Sequence, residues 1–288
     1  MLQAVLQAIV NGIVSGTLLA IPALGFSAMF AVLRFPNFAI GALATIGAYA
    51  AWVVNVQWGW SIPLSLAVAF VVAGAVGVGV EFAALERLGS GGALVKAIGS
   101  LAMAMVLENV VRFIFGNDVQ AYNLPLARDM VFGPVRIGPE DLTNLAFAVA
   151  IMAAIWAFMS FSTLGRCMRA VADNADLARL KGVNPRLIAL VTVAVGCGLA
   201  GIGGTLIGLS TSIDPLVGGR ILLSVFAAAV LGGLGSIAGA VAGAFVIGIV
   251  EELTVLAISP AYRLAVGFVV ILIVLTFRPS GLLGSKAS

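Results

Sequence analysis

The chain has 288 residues, of which 62% are hydrophobic and only 9% charged, with a formal net charge of +3. A soluble domain carries about 25% charged residues, so water cannot solvate this surface and a lipid bilayer is the solvent that fits. The small net charge makes no case for a nucleic-acid partner. The complete absence of histidine excludes Ser-His dyads, zinc-protease motifs built on histidine, and histidine proton relays.

A bilayer-spanning helix needs about 20 predominantly apolar residues, and such stretches follow one another from the start of the chain. The first, Ala4–Val32, is longer than one span requires and contains Pro22 and Gly25, so it is expected to be broken or re-entrant. No basic residue precedes its apolar run, which argues against a cleaved secretory signal and for a retained first helix. Further spans are expected at Phe38–Val56, Ile62–Leu85, Leu94–Phe115, Leu142–Phe161 and Leu187–Leu209. The last third reads as a short span, Ile221–Leu234, then Ile237–Ala257 and Ala261–Phe277. The apolar runs are continuous and lack the ten-residue alternation of a membrane barrel, so strands find no support. The expected fold class is all-α: one polytopic transmembrane helix bundle over residues 1–288, with about eight or nine spans including broken or re-entrant helices.

Basic residues set the orientation. The loop 163–186 carries Arg166, Arg169, Arg179, Lys181 and Arg186 and is expected in the cytoplasm. Arg87, Lys96, Arg278 and Lys286 then fall on the same side, which puts the C-terminus in the cytoplasm and, with nine crossings, the N-terminus outside. The loop 116–141 mixes Arg128 and Arg136 with Asp118, Asp129, Glu140 and Asp141, and is expected in the periplasm.

Glycines recur at four-residue spacing, as Gly12/Gly16, Gly204/Gly208 and Gly235/Gly239/Gly243. On a helix this makes a smooth stripe that lets backbones approach closely in lipid; a mobile helix near a pathway is the other reading. Cys167 and Cys197 have no metal or redox spacing and are expected to pack. No phosphate-binding loop exists: Gly89–Gly92 with Lys96 has the wrong spacing and no hydroxyl residue after the lysine, so any ATP must be held by a partner. Glu108 lies mid-span with Arg112 four residues on, an arrangement that either neutralises itself on one face or offers a polar contact to a transport path. Glu81, Glu86, Glu251 and Glu252 fall nearer span ends and are expected at the interfaces.

The loop 163–186 is the most informative segment. Asn174–Lys181 favours helix, with Asp173 or Asn174 as N-cap and Gly182 placed to end it. Ala175, Ala178 and Gly182 fall on one small-residue face, rimmed by Arg169, Asp173, Asp176, Arg179 and Lys181. Such a helix suits docking into a groove of another protein, and equally suits a solvated loop that satisfies the positive-inside rule.

The pattern Ala178-x-x-x-Gly182, preceded by Asp173 and Asp176, resembles the cytoplasmic "EAA" loop of ABC importer permeases. The run from Arg169 to Asn184 is similar, more specifically, to that loop in the branched-chain amino-acid permeases. The likeness continues through Gly198–Gly204, Ala229–Gly239 and the ending Phe277–Gly284, and Asn37-Phe38-Ala39-Ile40-Gly41 resembles the family's "N-F-A-H-G" element. Ile40 and Ala42 depart from the His and Glu of many relatives, and Asp214-Pro215 stands where relatives usually have Asn-Pro.

The resemblance implies the smaller of two paired permeases in a bacterial inner membrane. Its partners would be a second related permease, two ATP-binding subunits carrying ATP and Mg, and a periplasmic substrate-binding protein. The chain itself would bind no cofactor and catalyse nothing. Cargo would be branched-chain or other small amino acids, urea, amides or small aromatic acids, moved by alternating access. The ATPase-coupling residues would be Arg169, Asp173, Ala175, Asp176, Ala178, Arg179, Gly182, Val183 and Asn184. The pathway would draw on Asn37, Phe38, Glu108, Asn109, Gly204, Gly208, Gly233 and Gly235. The alternative, an ATP-independent secondary transporter or channel, would need ion-coupling acids in the membrane, and central acids are sparse.

Overall fold

The computed structural model describes residues 2–123, 130–132, 135–278 and 281–283. Arg128 and Asp129 of the long loop, and Pro279, Ser280, Gly284 and Lys286 of the tail, lie outside the described residues. In chain order the helices are α1 (Leu2–Leu33), α2 (Ile40–Trp52), α3 (Ile62–Val80), α4 (Gly92–Phe115) and α5 (Pro139–Phe161). The short α6 (Thr163–Asp173) and α7 (Ala175–Leu180) follow, then α8 (Pro185–Ser210), α9 (Val217–Gly232), α10 (Ile237–Ala257) and α11 (Arg263–Phe277). Counting the wider turns that extend α2 to Gln57 and α3 to Leu88, seven helices among the described residues are long and apolar enough to cross a membrane. The 16-residue α9 and 15-residue α11 are shorter apolar helices. The polytopic helical bundle read from the sequence is the observed fold.

Two expectations are corrected. α1 does not break at Pro22 but runs unbroken through it. A buried proline is tolerated inside a membrane helix because neighbouring helices surround the freed backbone; here Gly203 of α8 sits against the Pro22 ring and Gly25 against Gly196. The loop 116–141 also contains a small antiparallel hairpin, β1 (Met130–Phe132) with β2 (Val135–Ile137). The hairpin is clipped to the start of α1, where the Gln7 side chain donates to the Arg136 carbonyl at 2.8 Å and accepts from its N–H at 2.9 Å.

The core forms where α1, α2, α8, α9 and α10 meet, around Phe26, Met29, Leu43 and Ala200. α4 and α5 are mostly exposed on their outer faces, as lipid-facing helices are. The glycine stripes serve packing. Gly12 and Gly16 meet the backbone of α10, Gly47 meets Gly201, Gly204 meets Ala44, and Gly232 meets Gly239. A side chain at any of these positions would run into neighbouring backbone.

The bundle has two distinct ends. At one, Arg34 at the end of α1 donates to the Ala172 carbonyl of α6, Arg186 pairs with Glu86 at 2.6 Å, and Leu282 and Leu283 donate to the carbonyls of Leu231 and Gly232. At the other, Gln120 and Ile213 exchange hydrogen bonds of 2.8 and 2.9 Å, Trp52 donates to the Ala121 carbonyl, and Asn144 donates to Ser210. Tyr122 is buried there with its hydroxyl donating to the Ala48 carbonyl at 2.8 Å, and burial pushes its phenol above the ordinary range, so it stays a neutral donor.

Candidate functional site

At the first end the chain builds a compact two-helix element. Ser162 caps α6 by accepting from the Gly165 N–H at 2.9 Å, and Asn174 ends α6 and caps α7 by accepting from the Leu177 N–H at 2.9 Å. Gly182, at φ +85°, closes α7, with its N–H donating to the Arg179 carbonyl and Val183 N–H to the Ala178 carbonyl. This left-handed position is the one that favours glycine. Asn184 then caps α8 by accepting from the Arg186 and Leu187 N–H groups.

The face that α7 presents differs from the sequence expectation. Ala175 and Gly182 are exposed, but Ala178 is 5% exposed and packs with Met159, Met168, Val171 and Ile188 in a small core under the element. What projects outward is Leu180, 83% exposed, and Leu177, 56% exposed, beside Asp173, Asp176, Arg179 and Lys181. The i, i+3, i+7 pattern placed the three small residues together but not the side of the helix the protein would cover. Arg169 is not a free rim charge, since its guanidinium donates to the Met159 carbonyl at 2.6 Å and ties α6 to the end of α5. Val183 packs against the same small core.

The residues expected to form the pathway are not brought together. The buried Asn37 accepts from the Ala39 N–H at 3.0 Å just ahead of α2, and Phe38 packs on Phe226 with its N–H on Ser100 Oγ. Glu108 pairs with Arg112 at 2.6 Å, and the exposed Asn109 donates to its own helix at the Met105 carbonyl. Gly204 and Gly208 are spent on contacts with Ala44 and with Ile213 and Tyr122, while Gly233 and Gly235 form the left-handed turn between α9 and α10.

A cavity of about 660 Å³ lies instead at the opposite end, between α1, α8, α9, α10 and the start of α11. Its charged lining is Glu251 and Glu252 of α10, Arg263 of α11, Arg220 of α9, Arg136 of β2 and Asp141 of α5. Arg263 Nε reaches Glu251 at 3.2 Å, and the same guanidinium pairs with Glu252. Ser224 of α9 donates to Glu251 at 2.5 Å, and Ser15 of α1 lies 3.5 Å from Glu252. Expected at an interface, Glu251 is 3% exposed inside the bundle. Its partners come from α9 and α11, a long-range arrangement with no sequence signal except a pair of acids inside an apolar run. Glu81 is likewise inside, 7% exposed, with one carboxylate oxygen lacking a hydrogen-bond partner. Among the described residues no group of three or more His, Cys, Asp or Glu could hold a metal ion.

A lipid-solvated bundle of this kind, with a rigid polar element at one end and a charged cavity at the other, is a membrane-spanning permease subunit, of the ABC-importer class. The chain belongs to the family described as the permease component of branched-chain amino acid transport systems, whose model matches residues 8–275. It is 31% identical over 293 residues to the high-affinity branched-chain amino acid transport system permease protein BraD of Pseudomonas aeruginosa, covering 97% of this chain and 95% of that one. To the corresponding LivH protein of Escherichia coli K12 it is 29% identical with the same coverage. A solved chain of PsaBC from Streptococcus pneumoniae in complex with Fab shares the fold, with a TM-score of 0.51 at 12% identity, covering 94% of this chain and 91% of that one.

Proposed function

We propose that this chain forms one half of the membrane pathway of a heteromeric, ATP-driven importer for branched-chain or other small amino acids or related small solutes. A second, related permease supplies the other half, and two ATP-binding subunits hold ATP and Mg and perform the hydrolysis, with no catalysis by this chain. A substrate-binding protein delivers cargo at the end opposite α6–α7. The assembly sits in the bacterial inner membrane with α6–α7 and the C-terminus in the cytoplasm. Arg169, Asp173, Ala175, Asp176, Ala178, Arg179, Gly182, Val183 and Asn184 build the coupling element.

One observation carries this reading: the α6–α7 element presents two exposed leucines on a rigid mount. A loop bearing Leu177 and Leu180 at its tip exposes apolar surface that a partner's groove would cover. Transmission also needs stiffness, and three attachments provide it. Arg169 ties α6 to α5, Arg34 ties α1 to α6, and Ala178 seats α7 over Met159, Met168 and Ile188. Displacing the tip therefore moves α1, α5 and α8 together. A ligand or nucleotide shifts such an equilibrium only through different affinity for its two states, and a stiff lever is what converts ATPase closure into that difference.

The test is purification in mild detergent from a tag after Ser288, with co-purifying chains identified by mass spectrometry. The intact chain brings down two ATP-binding subunits and a related permease, and the Leu177→Asp/Leu180→Asp variant inserts normally yet loses the ATP-binding subunits. A chain recovered alone that moves solute in liposomes without ATP overturns the importer reading in favour of a secondary transporter.

A further inference from the structure

We propose that the connection between α3 and α4, residues 81–91, is a conformational switch whose second state pairs Glu81 with Lys96. The inference rests on the import reading above and names a route by which movement of the α6–α7 element would reach α4.

Past Val80 the chain stays helical but changes pitch. It widens into a π-helical turn over Glu81–Leu85, tightens into a 3-10 turn over Glu86–Gly91, and enters α4 at Gly92 with φ +75°. Nothing local demands the wide turn. Glu81-Phe82-Ala83-Ala84-Leu85 contains neither glycine nor proline, and alanine, leucine and glutamate are strong α-formers. Its closing bond runs from the Glu86 N–H back to the Glu81 carbonyl, five residues instead of four. Return to α pitch at this point would turn the chain that follows by about 100°. The segment thus holds a register that its surroundings impose and its own sequence does not prefer. Single π turns of this kind occur often at functional sites.

The side chains show what the observed state leaves unmade. Glu81 is buried with Oε2 unpartnered, and it belongs to none of the ion pairs among the described residues. Glu251, the other deeply buried acid, has both Ser224 and Arg263. Lys96, one turn into α4, is also outside those ion pairs, and its ammonium stands over the Phe35 ring, 5.6 Å from the centroid. Its charge nevertheless reaches Glu81. Both residues border one apolar cluster, in which Phe35 packs with Val80 and Leu85. An unpaired buried carboxylate is strongly unfavourable, and its complement lies just across the switch on a long flexible stem. A change of register between them would let the pair close.

The same segment touches the α6–α7 end. Glu86, first residue of the 3-10 turn, pairs with Arg186 at 2.6 Å, two residues after the Asn184 that caps α8. An exposed pair adds little stability; what it supplies is position, holding the tight turn against the start of α8. Leu88 of that turn lies against Gly99 of α4. Displacement at the end of α7 therefore bears on the connection, and the connection bears on α4.

The experiment treats the full chain in lipid nanodiscs with a membrane-permeant carbodiimide, which joins a carboxylate to an amine only when the two meet. Mass spectrometry is expected to find a peptide linking Glu81 to Lys96 that accumulates with time and is missing from Glu81→Gln. In cells, Glu81→Gln and Lys96→Gln each lower ATP-driven uptake about 10-fold, the weight of one hydrogen bond between charged groups in one of two states. The double variant falls no further than the worse single, because both changes remove one interaction. Lys96→Arg, which keeps the charge, retains uptake. Melting separates this role from a structural one, since Glu81→Gln melts at or above wild type while its uptake falls. The proposal is overturned by a wild-type chain without the Glu81–Lys96 link, by Lys96 linked to Glu86 in its place, or by uptake losses that multiply in the double variant. A lowered melting temperature in Glu81→Gln also overturns it. The two readings fail separately. Normal ATP-driven uptake in the Glu81→Gln/Lys96→Gln double variant removes the switch and keeps the importer. Purification without ATP-binding subunits, from a chain that still forms the link, keeps the switch and removes the importer.

Discussion

Glu108 and Glu81 are both acids within apolar spans, and their surroundings set opposite consequences for removing the charge. Glu108 is part-exposed and holds Arg112 one turn along the same helix at 2.6 Å, an intrahelical pair worth about 0.2–0.5 kcal/mol. It stands outside the cavity lining, so Glu108→Gln is expected to leave uptake intact and lower the melting temperature slightly. Glu81 sits where α3 widens into a π-helical turn, almost fully buried, with one oxygen unsatisfied and no ion pair among those described. A buried polar group without a partner costs roughly 1–3 kcal/mol. Glutamine keeps the shape without a charge to desolvate, so Glu81→Gln is expected to melt at or above wild type in detergent. A drop of several degrees would mean that the carboxylate is held by a charge such as Lys96, whose ammonium lies 5.6 Å from the Phe35 ring in the same region.

At the scale of the element, α6–α7 is defined by its boundaries more than by its interior. A β-carbon added at Gly182 would meet no atom within 4 Å, so bulk is not what excludes other residues there. Its backbone is, because φ +85° costs a β-branched residue about 1–2 kcal/mol. Gly182→Val is therefore expected to insert normally and bind ATP-binding subunits, while ATP hydrolysis in proteoliposomes runs at an undiminished rate with uptake reduced severalfold. Uptake at the wild-type rate would remove the element from the coupling role. The N-cap and the end of α7 were legible in the sequence because Asn174 and Gly182 act on backbone within three residues of themselves, whereas the cap that Asn184 gives α8 was not read there. The burial of Ala178 was not, since only the positions of α5, α6 and α8 decide which side of α7 is covered. The same distinction holds in the membrane. Spans announce themselves by hydropathy, whereas the cavity joins Ser15, Ser224, Glu251 and Arg263 from four helices, and no local pattern registers that meeting. Proline at position 22 misled for a related reason, because packing against Gly203 overrides a local preference to break.

For the whole molecule the element order has a consequence for sidedness. Helices α1 to α5 precede the α6–α7 element and α8 to α11 follow it. If α9 and α11 cross as the longer helices do, Trp58, between α2 and α3, is three passes from Leu177, and the C-terminus is four. Trp58 and the N-terminus then lie on one side, Leu177 and the C-terminus on the other. Charge selects which side is which. The α6–α7 end carries Arg34, Arg87, Arg166, Arg169, Arg179, Lys181 and Arg186, against Arg112, Arg136, Arg220 and Arg263 at the cavity end. Basic residues near short connections are retained in the cytoplasm, so on the orientation proposed above the α6–α7 end is expected to face inward. Single cysteines at Leu177 and Trp58, both exposed, in a background with Cys167 and Cys197 replaced, read this directly. A thiol reagent that cannot cross the membrane is expected to label Trp58→Cys in intact spheroplasts and Leu177→Cys only after lysis. Labelling of Leu177→Cys alone in intact spheroplasts would invert the topology. Labelling of both would give an even number of passes between them, and with it a different course for α3, α4 or α5.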